Sequence, residues 1–447
     1  MTIPEGLKEH YRKLQSEIYV SVTGAYTSLV TPNGNHLEPI HRWFHFKEAF
    51  SHRLLERVLK DEEPSRDRTL RLFDPFTGSG TTAVSAGQLV LSGSFRSAQF
   101  YGAECNPFLH LLASSKLAAL QAPPKDFLSS ARKIAGVARG HIRGKLQPPT
   151  LSTFRNEVYF TPEAVERLLR LRSAYDRLAG SMDHVTVLLA ATCLAASVES
   201  ASKLRRDGRT LRYAPTKTPL DPFDTFLRNA EKIQSDLSSR SATVRGGVVL
   251  ADIRDGIGYP RSSVIDLALF SPPYPNNIDY TEVYKLELWT LGLITSDEEF
   301  AYQRRRTLRS HGSLRWADKY AYESGPHASA VDEMIGPIID AIPPNNRYTN
   351  ARRQLVTGYT DDMLGLVSRV HRVLRPGGLM ACVVGNSLHG KPGEQFLVAA
   401  DLIIARLCML VGMEVTRIEV ARKPMRRASC SDHLRESIIF ARRLPGT

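Results

Sequence analysis

The chain has 447 residues, 42% of them hydrophobic, enough to bury a large core in one catalytic domain with insertions. Lysine and arginine number 59 against 46 acidic residues, a formal charge of +13 that favours a polyanionic partner. The five cysteines, Cys105, Cys193, Cys382, Cys408 and Cys430, show no C-x-x-C spacing and no histidine cluster beside them, which disfavours a zinc site and a disulfide framework and points to a reducing cytoplasm.

Met1 to His10 is charged where a secretory signal would be apolar, and residues 1–36 stand as an extension before the first core segment. His41-Arg42-Trp43-Phe44-His45-Phe46-Lys47, with Phe50-Ser51, precedes a helical pattern over Leu54–Leu59. Leu70-Arg71-Leu72-Phe73 has strand character and runs into Asp74-Pro75-Phe76-Thr77-Gly78-Ser79-Gly80-Thr81-Thr82. The glycines let the backbone turn tightly against a ligand before Thr81 or Thr82 opens a helix, so strand, turn and helix frame a nucleotide-type pocket. No lysine follows the second glycine, as a phosphate loop would require, and the third glycine of the dinucleotide fingerprint is missing, so ATP and NAD are disfavoured. Asp74, an acid at the strand's carboxyl end, suits a cationic amine better than a phosphate.

A second strand is expected over Gln99–Ala103, ending at Glu104-Cys105-Asn106-Pro107, where an acid can take both hydroxyls of a ribose. From 121 to 245 the pattern is mostly helical. Thr161-Pro162-Glu163 is a strong helix start, with Val165, Leu168, Leu169 and Leu171 as the apolar stripe behind it. The longest weakly polar run, Val185 to Val198, is too short to span a bilayer. Lys203–Arg209, followed by Tyr213 and Lys217, is a basic turn: Arg205 and Arg206 suit a DNA backbone, and a solvated loop is the alternative.

Gly247–Asp252, followed by Ile253, reads as a third strand, and the run Val264–Phe270, apolar but for Asp266, suits a central strand buried on both faces. Ser271-Pro272-Pro273-Tyr274 follows at its carboxyl end. The prolines fix the backbone and remove donors, leaving carbonyls to accept from a substrate amine, while Tyr274 offers a ring for stacking. Acceptors beside an aromatic platform suit an extruded base with an exocyclic amine. Asn276, Asn277, Asp279, Tyr280, Glu282 and Tyr284 either line that base's pocket or begin the next helix, with Tyr284, Leu288 and Trp289 in the core.

The stretch 296–356 carries Arg304, Arg305, Arg306, Arg309, His311, Arg315 and Trp316, then Pro343-Pro344-Asn345-Asn346-Arg347-Tyr348 and Arg352-Arg353. Arginine forks of this kind can hold phosphates or guanine edges, so DNA contact is favoured here over a merely solvated loop. Arg372–Gly378 and Leu379–Val384 read as a helix stopped by proline, a glycine turn and a fifth strand. Glu414–Val420 and Glu436–Arg442 form a closing antiparallel pair, bringing the count to seven strands. Arg422, Lys423, Arg426 and Arg427 make a further basic cluster.

The two motifs together resemble those of the amino-group DNA methyltransferases, a DPFxGSGTT-like cofactor motif and a [DNS]-PP-[YFW] catalytic motif. The serine form resembles that of the N4-cytosine enzymes, whereas N6-adenine enzymes more often carry aspartate there. The resemblance implies an α/β, Rossmann-like methyltransferase fold. It would have a seven-stranded, mostly parallel sheet with an antiparallel last strand, a helical insert and a basic loop-rich insert. It implies S-adenosylmethionine held by Asp74, Pro75, Phe76, Gly78, Ser79, Gly80, Thr81 and Thr82, with Glu104, Cys105 and Asn106 at the ribose. Asp252 and Ile253 would meet the adenine, and Phe46 and Lys47 would wall the methionine end.

The catalytic parts would span 37–120, 246–295 and 357–447, interrupted by the helical insert at 121–245 and the basic insert at 296–356, and which insert reads DNA stays open. The expected activity is methyl transfer to the exocyclic N4 of a cytosine flipped from double-stranded DNA, with Ser271, Pro272, Pro273 and Tyr274 as the catalytic turn. An N6-adenine or RNA amino-methyltransferase, or a noncatalytic nucleic-acid-binding relative, is the alternative. DNA contacts are expected from Arg205, Arg206, Arg304, Arg305, Arg306, Arg309, Arg315, Arg352 and Arg353. No metal and no membrane are expected, the setting is cytoplasmic, and a cognate restriction or defence protein is a candidate partner.

Overall fold

Eight strands form the main sheet of the computed structural model, which describes residues 3–62, 69–140, 146–147, 150–207, 210–237, 241–276, 278–344, 348–423 and 431–446. They are β1 (Val20–Ser21), β2 (Thr69–Asp74), β3 (Ser97–Glu104), β4 (Val244–Leu250), β5 (Ile265–Phe270), β6 (Leu374–Gly385), β7 (Met413–Arg422) and β8 (Glu436–Arg443). Their order across the sheet is β1-β7-β8-β6-β5-β2-β3-β4. Every neighbouring pair is parallel except β7 with β8 and β8 with β6. Chain order runs outward from β2 through β3 to β4, then restarts at β5 on the other side. The crevice where the order reverses, at the carboxyl ends of β2 and β5, is where open α/β sheets bind ligands.

Each expected strand is present, and an eighth joins them. It is a two-residue segment inside the amino-terminal extension, paired in parallel with β7 at Val20↔Ile418. Two residues carry no readable periodicity, so hydrophobic patterning could not reveal it. Glu419 anchors the extension, accepting from the Thr23 amide at 2.9 Å and the Thr23 hydroxyl at 2.6 Å. The fifth expected strand starts earlier than its apolar run: β6 already pairs with β5 at Leu374, and Arg375-Pro376-Gly377-Gly378 makes an irregularity rather than a turn before the strand.

The middle of the sheet is covered on both faces, which is why β5 is apolar but for Asp266, whose carboxylate pairs with Arg375: all six of its residues are buried. Leu267 and Leu269 join a core with Leu72, Phe100, Leu379 and Phe440, whereas Ala268 and Phe270 join a second core with Phe73, Met380 and Ile439. Helices Leu54–Glu62, Thr81–Leu91 and Pro107–Gln121 pack into the first core, and Ala328–Asp340, Thr349–Val373 and Ala400–Leu410 into the second.

Between β3 and β4 run helices Phe127–Arg139, Pro162–Ala179, His184–Val198 and Pro222–Asp236, with a small hairpin of Leu204–Arg206 against Leu211–Tyr213. Asp126, Thr161, Asp183 and Asp221 cap these four helices with their side chains. Their buried residues are continuous with the first core. The basic stretch expected to be loop-rich has irregular backbone over 306–320 and also holds helices Asp297–Arg305 and Ala328–Asp340 and the start of Thr349–Val373. Gly208, Arg209, Asn277, Asn345, Asn346, Arg347, Arg426, Arg427 and Cys430 lie outside the described residues. No described helix is long and apolar enough to cross a membrane.

Candidate functional site

The carboxyl end of β2 builds one wall of the site. Gly80 adopts a left-handed φ of 84° as the residue before helix Thr81–Leu91, and a Cβ there would come within 3.1 Å of the Ala113 backbone. Glycine is therefore required both for the turn and for the close helix packing. Asp74 is buried and accepts from the Thr82 hydroxyl at 2.7 Å and the Phe76 amide at 3.1 Å. Burial, reinforced by the nearby Glu104 charge, pushes the Asp74 carboxyl up to about 7.

Glu104 ends β3 and accepts from the amides of Gly78 at 2.9 Å and Asn106 at 2.8 Å; burial raises this carboxyl too. Asn106 caps helix Pro107–Gln121 through its carbonyl oxygen, while its Nδ2 is buried with no partner. Two buried acids and an orphaned amide lie around one loop. Such groups call for a ligand that carries a cation and hydroxyls.

The carboxyl end of β5 builds the opposite wall. Ser271 donates to the Tyr274 hydroxyl at 3.2 Å, and Tyr274 donates to Glu436 at 2.9 Å. Gly385, at the end of β6, leaves room for the Tyr274 ring: a Cβ at 385 would stand 2.9 Å from it. Burial and the Glu436 charge hold the Tyr274 phenol well above its ordinary range, so it stays protonated. The Pro275 carbonyl accepts from the Ser387 hydroxyl at 2.6 Å and lies 2.8 Å from His389 Nε2, which ties the turn to the strand Ser387–His389.

Both walls face a single cavity of about 270 Å³. Of the sequence-predicted residues, Phe46, Lys47, Asp74, Pro75, Phe76, Gly78, Ser79, Thr81, Glu104, Cys105, Asn106, Asp252, Ile253, Ser271, Pro272, Pro273 and Tyr274 line it. Gly80 and Thr82 stand behind the lining and support it. Asp252 is less available than expected, because Arg254 engages both its oxygens, with Nη2 at 2.6 Å. Of the residues after the Ser271–Tyr274 turn, Asn276 and Tyr280 line the cavity, whereas Asp279 caps the short helix Tyr280–Val283 and pairs with Arg304. Tyr284 is core, its hydroxyl bonded to Glu48 and its ring stacked on Phe46.

The expected DNA-binding arginines divide into three sets. Arg206 is buried between Glu199 and Glu287 with its guanidinium 4.9 Å from the Tyr284 ring centre, so it is a core ion pair and not a phosphate contact. Arg304 pairs with Asp279, and Arg309 with Asp361 and Asp362, so both are held by internal acids. Arg205, Arg305, Arg315 and Arg353 are exposed, Arg352 lies over the rings of Tyr348 and Phe396, and Arg306 lines the cavity.

Glu48, Thr307, Leu308, Arg422 and Glu436 also line the cavity without having been assigned to it from the sequence. Glu436 was read as the start of a closing strand and Arg422 as part of a basic cluster, and only the pairing of β7, β8 and β6 brings them beside the Ser271–Tyr274 turn. Among the described residues no group of histidine, cysteine or acidic side chains could hold a metal ion.

Over 439 aligned residues the chain is 23% identical to the type II methyltransferase M.BsoBI of Geobacillus stearothermophilus, covering 87% of this chain and 82% of that one. Over 425 residues it is 24% identical to the type II methyltransferase M.AvaI of a Nostoc species, covering 88% and 83%. An rRNA methyltransferase, aviRa from Streptomyces viridochromogenes, aligns across 99% of this chain at 9% identity with a TM-score of 0.27. No family model matches the chain.

Proposed function

We propose that the chain is an S-adenosylmethionine-dependent DNA methyltransferase acting on the exocyclic N4 of a cytosine rotated out of the duplex. The observation that carries this reading is the single cavity walled by the Asp74–Thr81 loop on one side and the Ser271–Tyr274 turn on the other. A cofactor on the first wall and a base on the second would meet between them. Similarity to type II methyltransferases over more than four-fifths of the chain supports the same reading.

The residues present fit the cofactor. Asp74, which burial leaves poorly ionised, gains a partner in the methionine amine; Glu104 and the unpartnered Asn106 amide suit ribose hydroxyls; Phe46 and Lys47 close the methionine end. When bound, S-adenosylmethionine supplies the electrophilic methyl group. Asp252 and Ile253 stand at the adenine end of this arrangement.

The chain's own residues then act on the amine. Its lone pair is delocalised into the ring, and hydrogen bonds to the Ser271 hydroxyl and the Pro272 carbonyl would pyramidalise it toward the methyl. Pro272 and Pro273 hold the turn and the Tyr274 ring stacks on the base, offsetting the few kcal/mol that extrusion costs. In-line attack needs the reacting atoms within about 3–3.5 Å more than it needs a strong base. Serine as the first residue of the turn favours cytosine N4.

In this reading 37–120, 246–295 and 357–447 form the catalytic parts, with phosphate contacts from Arg205, Arg305, Arg315 and Arg353. The setting is cytoplasmic, and a cognate restriction nuclease is the anticipated partner. Transfer of labelled methyl from S-adenosylmethionine to duplex DNA or to RNA by the purified chain tests this. Label in DNA supports the reading, label in RNA alone replaces the substrate, and cofactor binding without transfer to either would make the chain a noncatalytic relative.

A further inference from the structure

We infer that Ser271, Tyr274 and Glu436 form a one-way proton relay that carries the proton released by the target amine to Glu436. The inference rests on the methyltransferase reading above and goes beyond it, because Glu436 belongs to neither motif.

The direction of the relay follows from donor and acceptor chemistry. A carboxylate only accepts, so the Tyr274 hydroxyl, 2.9 Å from Glu436 Oε1, must donate to it. Its single proton being committed there, Tyr274 can meet Ser271 at 3.2 Å only as acceptor, so Ser271 donates. The Ser271 oxygen is then left with lone pairs for an incoming amine hydrogen. Every hydrogen in the row points away from the substrate position and toward the acid.

The acid is held for this task. Its second oxygen accepts from Arg422 Nε at 2.5 Å, which holds the carboxyl group in place beside the cavity. β8 runs antiparallel to β6, which brings its first residue opposite Gly385 at the same sheet edge where β5 ends in the catalytic turn. The missing Cβ at Gly385 lets the Tyr274 ring lie flat enough to reach that acid.

As the amine nitrogen forms its bond to the methyl carbon and the carbon–sulfur bond breaks, the nitrogen gives one proton to the Ser271 oxygen. The Ser271 proton passes to Tyr274, and the Tyr274 proton passes to Glu436, which becomes a neutral acid. The nitrogen keeps its electron pair, now back in conjugation with the ring. Such a nitrogen is so weak a base once methylated that even an arginine-paired carboxylate takes its proton. Ser271 and Tyr274 touch the base, whereas Glu436 acts through them as a positioning residue.

Single-turnover methyl transfer in H2O and D2O, with the native chain, Glu436→Gln and Tyr274→Phe, tests the relay. Glutamine can still accept from Tyr274, and phenylalanine keeps the stacking ring. The expected result is a loss of roughly 100-fold in transfer rate in both variants, the scale of general acid–base catalysis. Cofactor and DNA affinities should stay within about twofold. The native solvent isotope effect should depend on more than one proton, and that dependence should vanish in both variants. An unchanged rate, or the native multi-proton isotope dependence persisting in Glu436→Gln, would overturn the relay while leaving the methyltransferase reading intact. Absence of methyl transfer by the native chain would overturn that reading instead, so the two failures are distinguishable.

Discussion

At the scale of single residues, Asp74 is a buried acid that costs the fold stability. Its carboxyl, ordinarily near 3.8, is pushed up to about 7 by burial. The folded chain therefore holds a proton that the unfolded chain has lost between those values, so stability falls as pH rises through that window and levels off above it. A tenfold difference in proton affinity between the folded and unfolded chain corresponds to about 1.4 kcal/mol, so Asp74→Asn should stabilise the ligand-free chain at pH 8 by a few kcal/mol and change little near pH 4. Thermal melts at the two pH values check this, and equal destabilisation at both would contradict it. In the proposed reading the same variant should lose cofactor affinity, because there the buried acid meets the amine.

Residues also mark where sequence reading succeeded and where it failed. The place of Asp74, Glu104 and Ser271–Tyr274 at one cavity was legible because each lies in a local run, and a local run dictates its own turn. Glu436 was not legible as a site residue, since its place depends on strands β6, β7 and β8 meeting across a long stretch of chain. Arg206 failed in the opposite sense. It sits in a basic run with the look of a surface, yet Glu199 and Glu287 draw it into the core. No spacing rule joins those three positions.

At the scale of elements, β5 was readable from its apolar run because a strand covered on both faces demands one. The two-residue strand β1 was too short to show a period, and the basic insert, read as loop-rich, holds two helices on either side of an irregular stretch at 306–320 that carries Arg306, Arg309 and Arg315. The end of β6 offers an element-level test. Gly385→Ala would place a Cβ 2.9 Å from the Tyr274 ring, so the turn must shift. Overpacking of this kind costs about 1–3 kcal/mol of stability, and transfer should fall far more than cofactor binding, because the cofactor loop lies on another strand. Gly365→Ala is the control: nothing lies within 4 Å of the new Cβ in helix Thr349–Val373. That change should stabilise the helix by up to about 1 kcal/mol and leave transfer alone. Isothermal titration and methyl-transfer rates on both variants decide the matter, and equal loss of cofactor affinity and transfer in Gly385→Ala would argue against the division between the two walls.

At the scale of the whole molecule, the sheet order explains why two separate loops wall one cavity. β2 and β5 are neighbours whose chains leave in opposite directions, so a loop from each faces the same crevice. The antiparallel last strand returns an acid to that crevice from the far end of the sequence. A charge of +13 surrounds this centre, and four of the expected arginines remain exposed to meet a polyanion. The central claim is that these parts methylate an extruded base at its exocyclic amine. Nucleoside mass spectrometry of DNA from cells expressing the native chain, set against cells expressing Tyr274→Ala, tests it most directly. The account predicts N4-methylcytosine with the native chain and none with the variant. N6-methyladenine would overturn the assignment of the base from Ser271, and no methylated base in either sample would contradict the central claim.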